Sequence, residues 1–93
     1  MTEKTVRFQP GAMLHAAIVG AFKARGGSFE RWCTDQGIYA TNARNATYGI
    51  MKGPRGKELL AQLIEAAGPE VVEAGYLASF KRHQEELRKG GAI

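Results

Sequence analysis

Leu14, Ala17, Ile18, Ala21 and Phe22 recur at the i, i+3, i+4, i+7, i+8 spacing of one helical face, which predicts a first helix over 11–25. Gly26-Gly27 ends it. Ser28 is placed to cap a second, short helix over 29–36, and Glu30 lies in its first turn, where the helix dipole favours an acid. Phe29, Trp32 and Cys33 share one side of that helix. Gly37 breaks it, and Ile38 follows as an apolar residue inside the turn. A third helix is expected from Thr41, read as its cap, to Tyr48. Its inward residues are small (Ala43, Ala46), and Asn42, Arg44, Asn45 and Tyr48 are polar or amphipathic.

Gly49 and the run Lys52-Gly53-Pro54-Arg55-Gly56-Lys57 predict a loop. Leu59, Leu60, Leu63, Ile64 and Ala67 then repeat the helical pattern, and Gly68 closes this fourth helix. Pro69 suits the first turn of a last helix over 69–89, where its missing N–H needs no partner. Glu70 and Glu73 near its start, with Lys81, Arg82, Arg88 and Lys89 toward its end, complement its dipole. Val72, Tyr76, Phe80, His83 and Leu87 form a stripe along it, and Gly90-Gly91 are expected to stop it. Five helices without a strand pattern predict an all-α domain, and the sequence holds no internal repeat.

At 93 residues, 44% hydrophobic and 24% charged, the chain reads as one globular domain over 1–93, with 1–10 expected as a flexible arm. No apolar run approaches the roughly 18 residues of a membrane span. The start, MTEKTVRFQP, lacks the apolar stretch of a signal peptide, so a cytoplasmic location without a membrane partner is expected. A single cysteine, Cys33, excludes an internal disulfide and a multi-cysteine zinc site. His15 and His83 have no ligand-spaced companions, so neither a metal nor another cofactor is expected. Without a carboxylate pair or a nucleophile–base grouping, the chain is not expected to be an enzyme, and no small-molecule substrate suggests itself. The segment Lys52–Lys57 has the wrong glycine spacing for a phosphate loop, and Glu58 occupies the Ser/Thr position.

Charge changes the picture. Residues 1–57 carry nine Lys/Arg against three Asp/Glu, whereas residues 58–93 carry four against six. Between Ile38 and Lys57 lie Arg44, Lys52, Arg55 and Lys57 with no acid among them. Such a stretch suits a polyanion such as nucleic acid, and equally describes a solvated basic loop.

A short helix, a glycine turn and a second short helix are the parts of a helix-turn-helix. Residues Phe29–Tyr48, FERWCTDQGIYATNARNATY, resemble that unit in the lambda-repressor-like family, and are most similar to small phage regulators of the Cro and Ner types. Gly37-Ile38-Tyr39-Ala40-Thr41 is similar to the turn and helix start of Cro-like proteins. The Ser-capped second helix, Asn45-Ala46 and the basic glycine-containing loop extend the resemblance, in the Ner-like manner, over about Leu14–Ala67. It implies a buried position for Trp32, the small helix-crossing position for Cys33, the turn glycine at Gly37, and a buried residue at Ile38. Ala43 and Ala46 take the inner positions of the recognition helix, while Gln36 and Ala43 depart from the usual apolar and branched residues.

What the resemblance implies is a sequence-specific double-stranded DNA-binding transcriptional regulator of phage or mobile-element type, with the recognition helix, about 41–48, in the major groove. Tyr39, Thr41, Asn42, Arg44, Asn45 and Tyr48 are then the candidates for base contact. Arg44 suits guanine O6 and N7, and Asn42 or Asn45 suits adenine N6 and N7. Ser28, Arg31, Lys52, Arg55 and Lys57 are the candidates for phosphate contact. Tyr39 can also pack inward while offering its hydroxyl. In the last helix Val72–Tyr76 are expected in the core, and Tyr76, Phe80, His83 and Leu87 are the candidates for a dimer contact. A homodimer would set two recognition helices about one DNA turn apart. A reading from another class also stands: a small helical protein-interaction module, an inhibitor or adaptor, acting through its last helix.

Overall fold

Five helices make up the architecture: α1 (Ala12–Ala24), α2 (Phe29–Asp35), α3 (Ala40–Tyr48), α4 (Pro54–Ala67) and α5 (Pro69–Gly91). The computed structural model describes residues 8–51 and 53–91, with the backbone alone for 83 and 87–91. Among the described residues there is no strand, so the fold is all-α. None of the described helices is long and apolar enough to cross a membrane.

α1 is the centre of the domain, packing against each of the other four helices and most extensively against α5. Its buried face is Leu14, Ala17, Ile18, Ala21 and Phe22, the stripe that the periodicity predicts. Around it gather Phe29 and Cys33 of α2, Ala43 of α3, Leu63 and Ala67 of α4, and Val72 and Tyr76 of α5. Full burial of an aliphatic side chain such as Leu14, Ile18, Leu63 or Val72 contributes roughly 1.5–3 kcal/mol. Gly75 of α5 faces Ala17 of α1, where a Cβ would stand at ordinary contact distance, 3.7 Å from the Ala17 methyl.

Local chemistry sets the ends of α2. The Ser28 hydroxyl oxygen accepts the Arg31 N–H at 3.0 Å, which is the expected cap. At the other end Gly37 takes φ +72°, the left-handed conformation. The Gly37 N–H then reaches Thr34 O at 3.0 Å and the Ile38 N–H reaches Cys33 O at 2.8 Å. This closes the helix and leads into α3 after four residues.

Several expectations need correction. α3 begins at Ala40 with Tyr39 as its N-cap, so Thr41 is an exposed residue of the first turn and not the cap. The Tyr39 carbonyl already accepts the Ala43 N–H at 3.1 Å, which starts the helix before Thr41. The expected loop over 52–57 is helical from Pro54 onward. Pro54 holds the first helical position of α4, and Arg55 and Lys57 lie in its first turn. Gly56 is needed there by close approach, because the carbonyl of Met51 fills the place where a Cβ would project. The arm is docked over residues 8–10: the Phe8 ring meets Tyr76 edge-on at 5.1 Å, and the Gln9 N–H donates to the Tyr76 hydroxyl at 3.1 Å. Residues 1–7 lie outside the described residues. Finally, Tyr76 is buried within its own chain by these contacts and is removed from the candidate dimer surface.

α5 has 23 residues and runs on to Gly91 through the glycines expected to stop it. Its length is about 34 Å at 1.5 Å per residue, in a domain measuring 48 × 34 × 30 Å. From Leu77 onward no described side chain of α5 is buried, and Leu77 and Phe80 stand 46% and 42% exposed.

Candidate nucleic-acid interface

α3 divides cleanly into two faces. Ala43, Ala46 and Thr47 are buried, turned toward α1, α2 and α4, the three helices that pack on α3. Thr41, Arg44, Asn45 and Tyr48, spaced i, i+3, i+4, i+7, form the opposite stripe. Thr41, Arg44 and Tyr48 are exposed, and Asn45 is half-buried. Asn42 is exposed on the flank. Tyr39 at the turn is 80% exposed, so its ring projects outward instead of packing inward. α2 braces α3 from beneath, with the small side chain of Cys33 fully buried. Burial, with Glu30 nearby, pushes the Cys33 thiol up, so it remains a protonated packing group. Trp32 is half-buried against Phe22, at a ring separation of 6.0 Å, and is less enclosed than the resemblance implies.

The phosphate candidates fall on two helix N-termini. Arg31 is exposed in the first turn of α2, beside Ser28, whose hydroxyl accepts the capping bond and keeps its proton to donate elsewhere. Arg55 and Lys57 are exposed in the first turn of α4, which has neither an acid nor a side-chain cap. Two cations at the positive end of a helix dipole oppose the usual charge preference, and the combination suits an anion placed there. Arg55 lines an open cleft of about 520 Å³ together with Tyr39 and Asn42, which joins α4 to the turn and the start of α3. Glu58 shares that cleft. Lys57 lines a second cleft with Tyr48, Met51 and Pro10, at the far end of α3. Lys52 lies outside the described residues, as do the side chains of His83 and Leu87.

One pair of residues at this site escapes the sequence reading. His15 of α1 and Thr47 of α3 are hydrogen-bonded, Nδ1 to Oγ1, at 2.9 Å. The Thr47 hydroxyl gives its single proton to the Arg44 carbonyl at 2.8 Å. Toward His15 it is therefore the acceptor, and the imidazole proton resides on Nδ1. The same ring lies over Tyr48 at 4.8 Å and meets Phe29 edge-on at 5.3 Å. Burial, then the Arg44 guanidinium, hold His15 below its ordinary pKa of 6.5, against a smaller opposing pull from Glu30. The signal was partly present: Thr47 follows Ala43 by four residues on the inner face, and His15 precedes Ile18 and Phe22 by three and seven at the edge of the α1 stripe.

Compared with models of protein families, with curated proteins and with solved structures, the chain gives no match.

Proposed function

We propose that this chain is a sequence-specific double-stranded DNA-binding transcriptional regulator with a lambda-repressor-like helix-turn-helix, of the kind that phages and other mobile elements encode. α3 enters the major groove. The observation that carries the reading is the outward polar stripe of exposed Thr41, Arg44 and Tyr48 with half-buried Asn45, backed by the buried Ala43, Ala46 and Thr47. Arg44 and the asparagines supply the bidentate donors and acceptors that base edges require. Ser28, Arg31, Arg55 and Lys57 supply sequence-independent contacts at two helix N-termini. The protein acts by binding and not by catalysis, and it binds as a homodimer through the outer half of α5.

Selection from a random duplex pool tests this reading. A single enriched sequence is expected, bound over unrelated duplex, with log affinity falling by about 0.9 per contacted phosphate for each decade of salt. A pool without any enriched sequence overturns it. The second reading, a helical interaction module, is favoured by Leu77 and Phe80, whose exposure on α5 offers an apolar surface that the DNA contacts do not use.

A further inference from the structure

His15 stands on α1, outside the two-helix unit, yet its ring touches both helices of that unit. It packs on Phe29 at the start of α2 and on Tyr48 at the end of α3, and it donates to the buried Thr47 hydroxyl. Through that hydroxyl the chain of bonds ends on the backbone of Arg44. We infer that His15 is a positioning residue for base recognition, setting the rotation of α3 about its own axis and hence the reach of Arg44, Asn45 and Tyr48; the inference rests on the DNA-binding reading above.

The physical argument is one of satisfied bonds. Thr47 is fully buried, so its hydroxyl finds no water to replace a lost partner. Its inner neighbours on α3, Ala43 and Ala46, are too small to resist a roll of the helix by interlocking with side chains of other helices. The His15–Thr47 bond, spanning 32 residues, is the one side-chain hydrogen bond among the described residues that holds α3 to another helix, and together with the Gly11 N–H, which donates to the Thr47 carbonyl at 2.9 Å, it fixes the roll. A rolled α3 keeps its charge, and phosphate attraction with it, but misplaces the bidentate groups by enough to lose base readout.

The test uses the full chain, the selected duplex and an unrelated duplex. His15→Phe keeps a stacking ring without the donor, and Thr47→Val removes the acceptor. Each is expected to lower the ratio of selected to unrelated affinity about tenfold, the scale of one bidentate contact. Unrelated-duplex affinity should stay within about twofold, since phosphate contacts are untouched. The double variant should lose no more than either single one, because both remove the same bond. His15→Asn, whose amide nitrogen reproduces the Nδ1 donor, should restore the ratio to within about threefold. Far-UV circular dichroism confirms that each variant is folded, and where one of His15→Phe and Thr47→Val is not, the other against His15→Asn carries the test. An unchanged ratio overturns the inference while leaving DNA binding intact, as does an equal fall for both duplexes. A wild-type protein without sequence preference removes the DNA reading and this inference together.

Discussion

Arg44 and Lys57 carry the same charge and are both exposed, but they stand on different elements and so should respond differently to substitution. Arg44 lies mid-stripe on α3, where in the proposed reading a guanidinium would meet a base edge. Arg44→Ala should remove about 1–3 kcal/mol of discrimination. Lys57 lies on the first turn of α4, so Lys57→Ala should weaken all duplexes alike and flatten the salt dependence by about 0.9. Fluorescence anisotropy over a salt series separates the two, and identical behaviour would refute the division of roles. His15 carries a pH prediction. Because its folded-state pKa is held below 6.5 by burial and Arg44, the unfolded chain binds the proton more readily. Stability is therefore fully present above 6.5 and falls as the pH drops below that value. Urea midpoints between pH 8 and pH 5 should show this fall, and His15→Asn should lessen it. Polar outer residues such as Arg44 were legible from the sequence because exposure and polarity go together. The His15–Thr47 bond was not, because its partners are 32 residues apart and each alone is unremarked.

Two glycines within helices make opposite predictions from opposite surroundings. Gly20 in α1 has nothing within 4 Å of a Cβ, and its backbone is ordinary. Gly20→Ala should stabilise by roughly 0.5–1 kcal/mol, through the lower chain entropy of the unfolded state. At Gly56 a similar gain in helix propensity competes with a collision against the Met51 carbonyl, and overpacking costs about 1–3 kcal/mol. Backbone cannot yield as a side-chain tip does, so Gly56→Ala should destabilise and loosen the turn that presents Arg55. Thermal melts of the two variants shifting in the same direction would contradict this. α2 was readable end to end, since a serine cap and a left-handed glycine act within a few residues. α4 was not readable at its start. A glycine–proline pair among cations has the composition of a loop, yet Pro54 holds the first helical position and Gly56 fits against the Met51 backbone.

At the scale of the molecule, α5 outruns the core it helps to build. Val72 and Tyr76 are buried, whereas Leu77 and Phe80 remain exposed on a helix about 34 Å long. A second copy paired along this outer half would cover them and place two copies of α3 on one face of a duplex. Phe80→Glu sets two charges against each other in such a contact and should yield monomers in sedimentation velocity. A mass unaltered by the substitution would remove the dimer. Tyr76 shows why a stripe alone misleads: Val72, Tyr76 and Phe80 share helical spacing, and only the arm folding back through Phe8 and Gln9 decides which of them the domain encloses.

Hydrophobic periodicity by itself determined the number and order of the helices, the all-α class and the inner face of α1, because those depend on neighbours within two turns. The Ser28 cap and the Gly37 turn were equally local. Tertiary structure alone decided that residues 8–10 dock, that Tyr76 is core, and that His15 reaches α3. Each of these turns on which surfaces meet across long stretches of chain, a matter of global packing that no short window of residues contains.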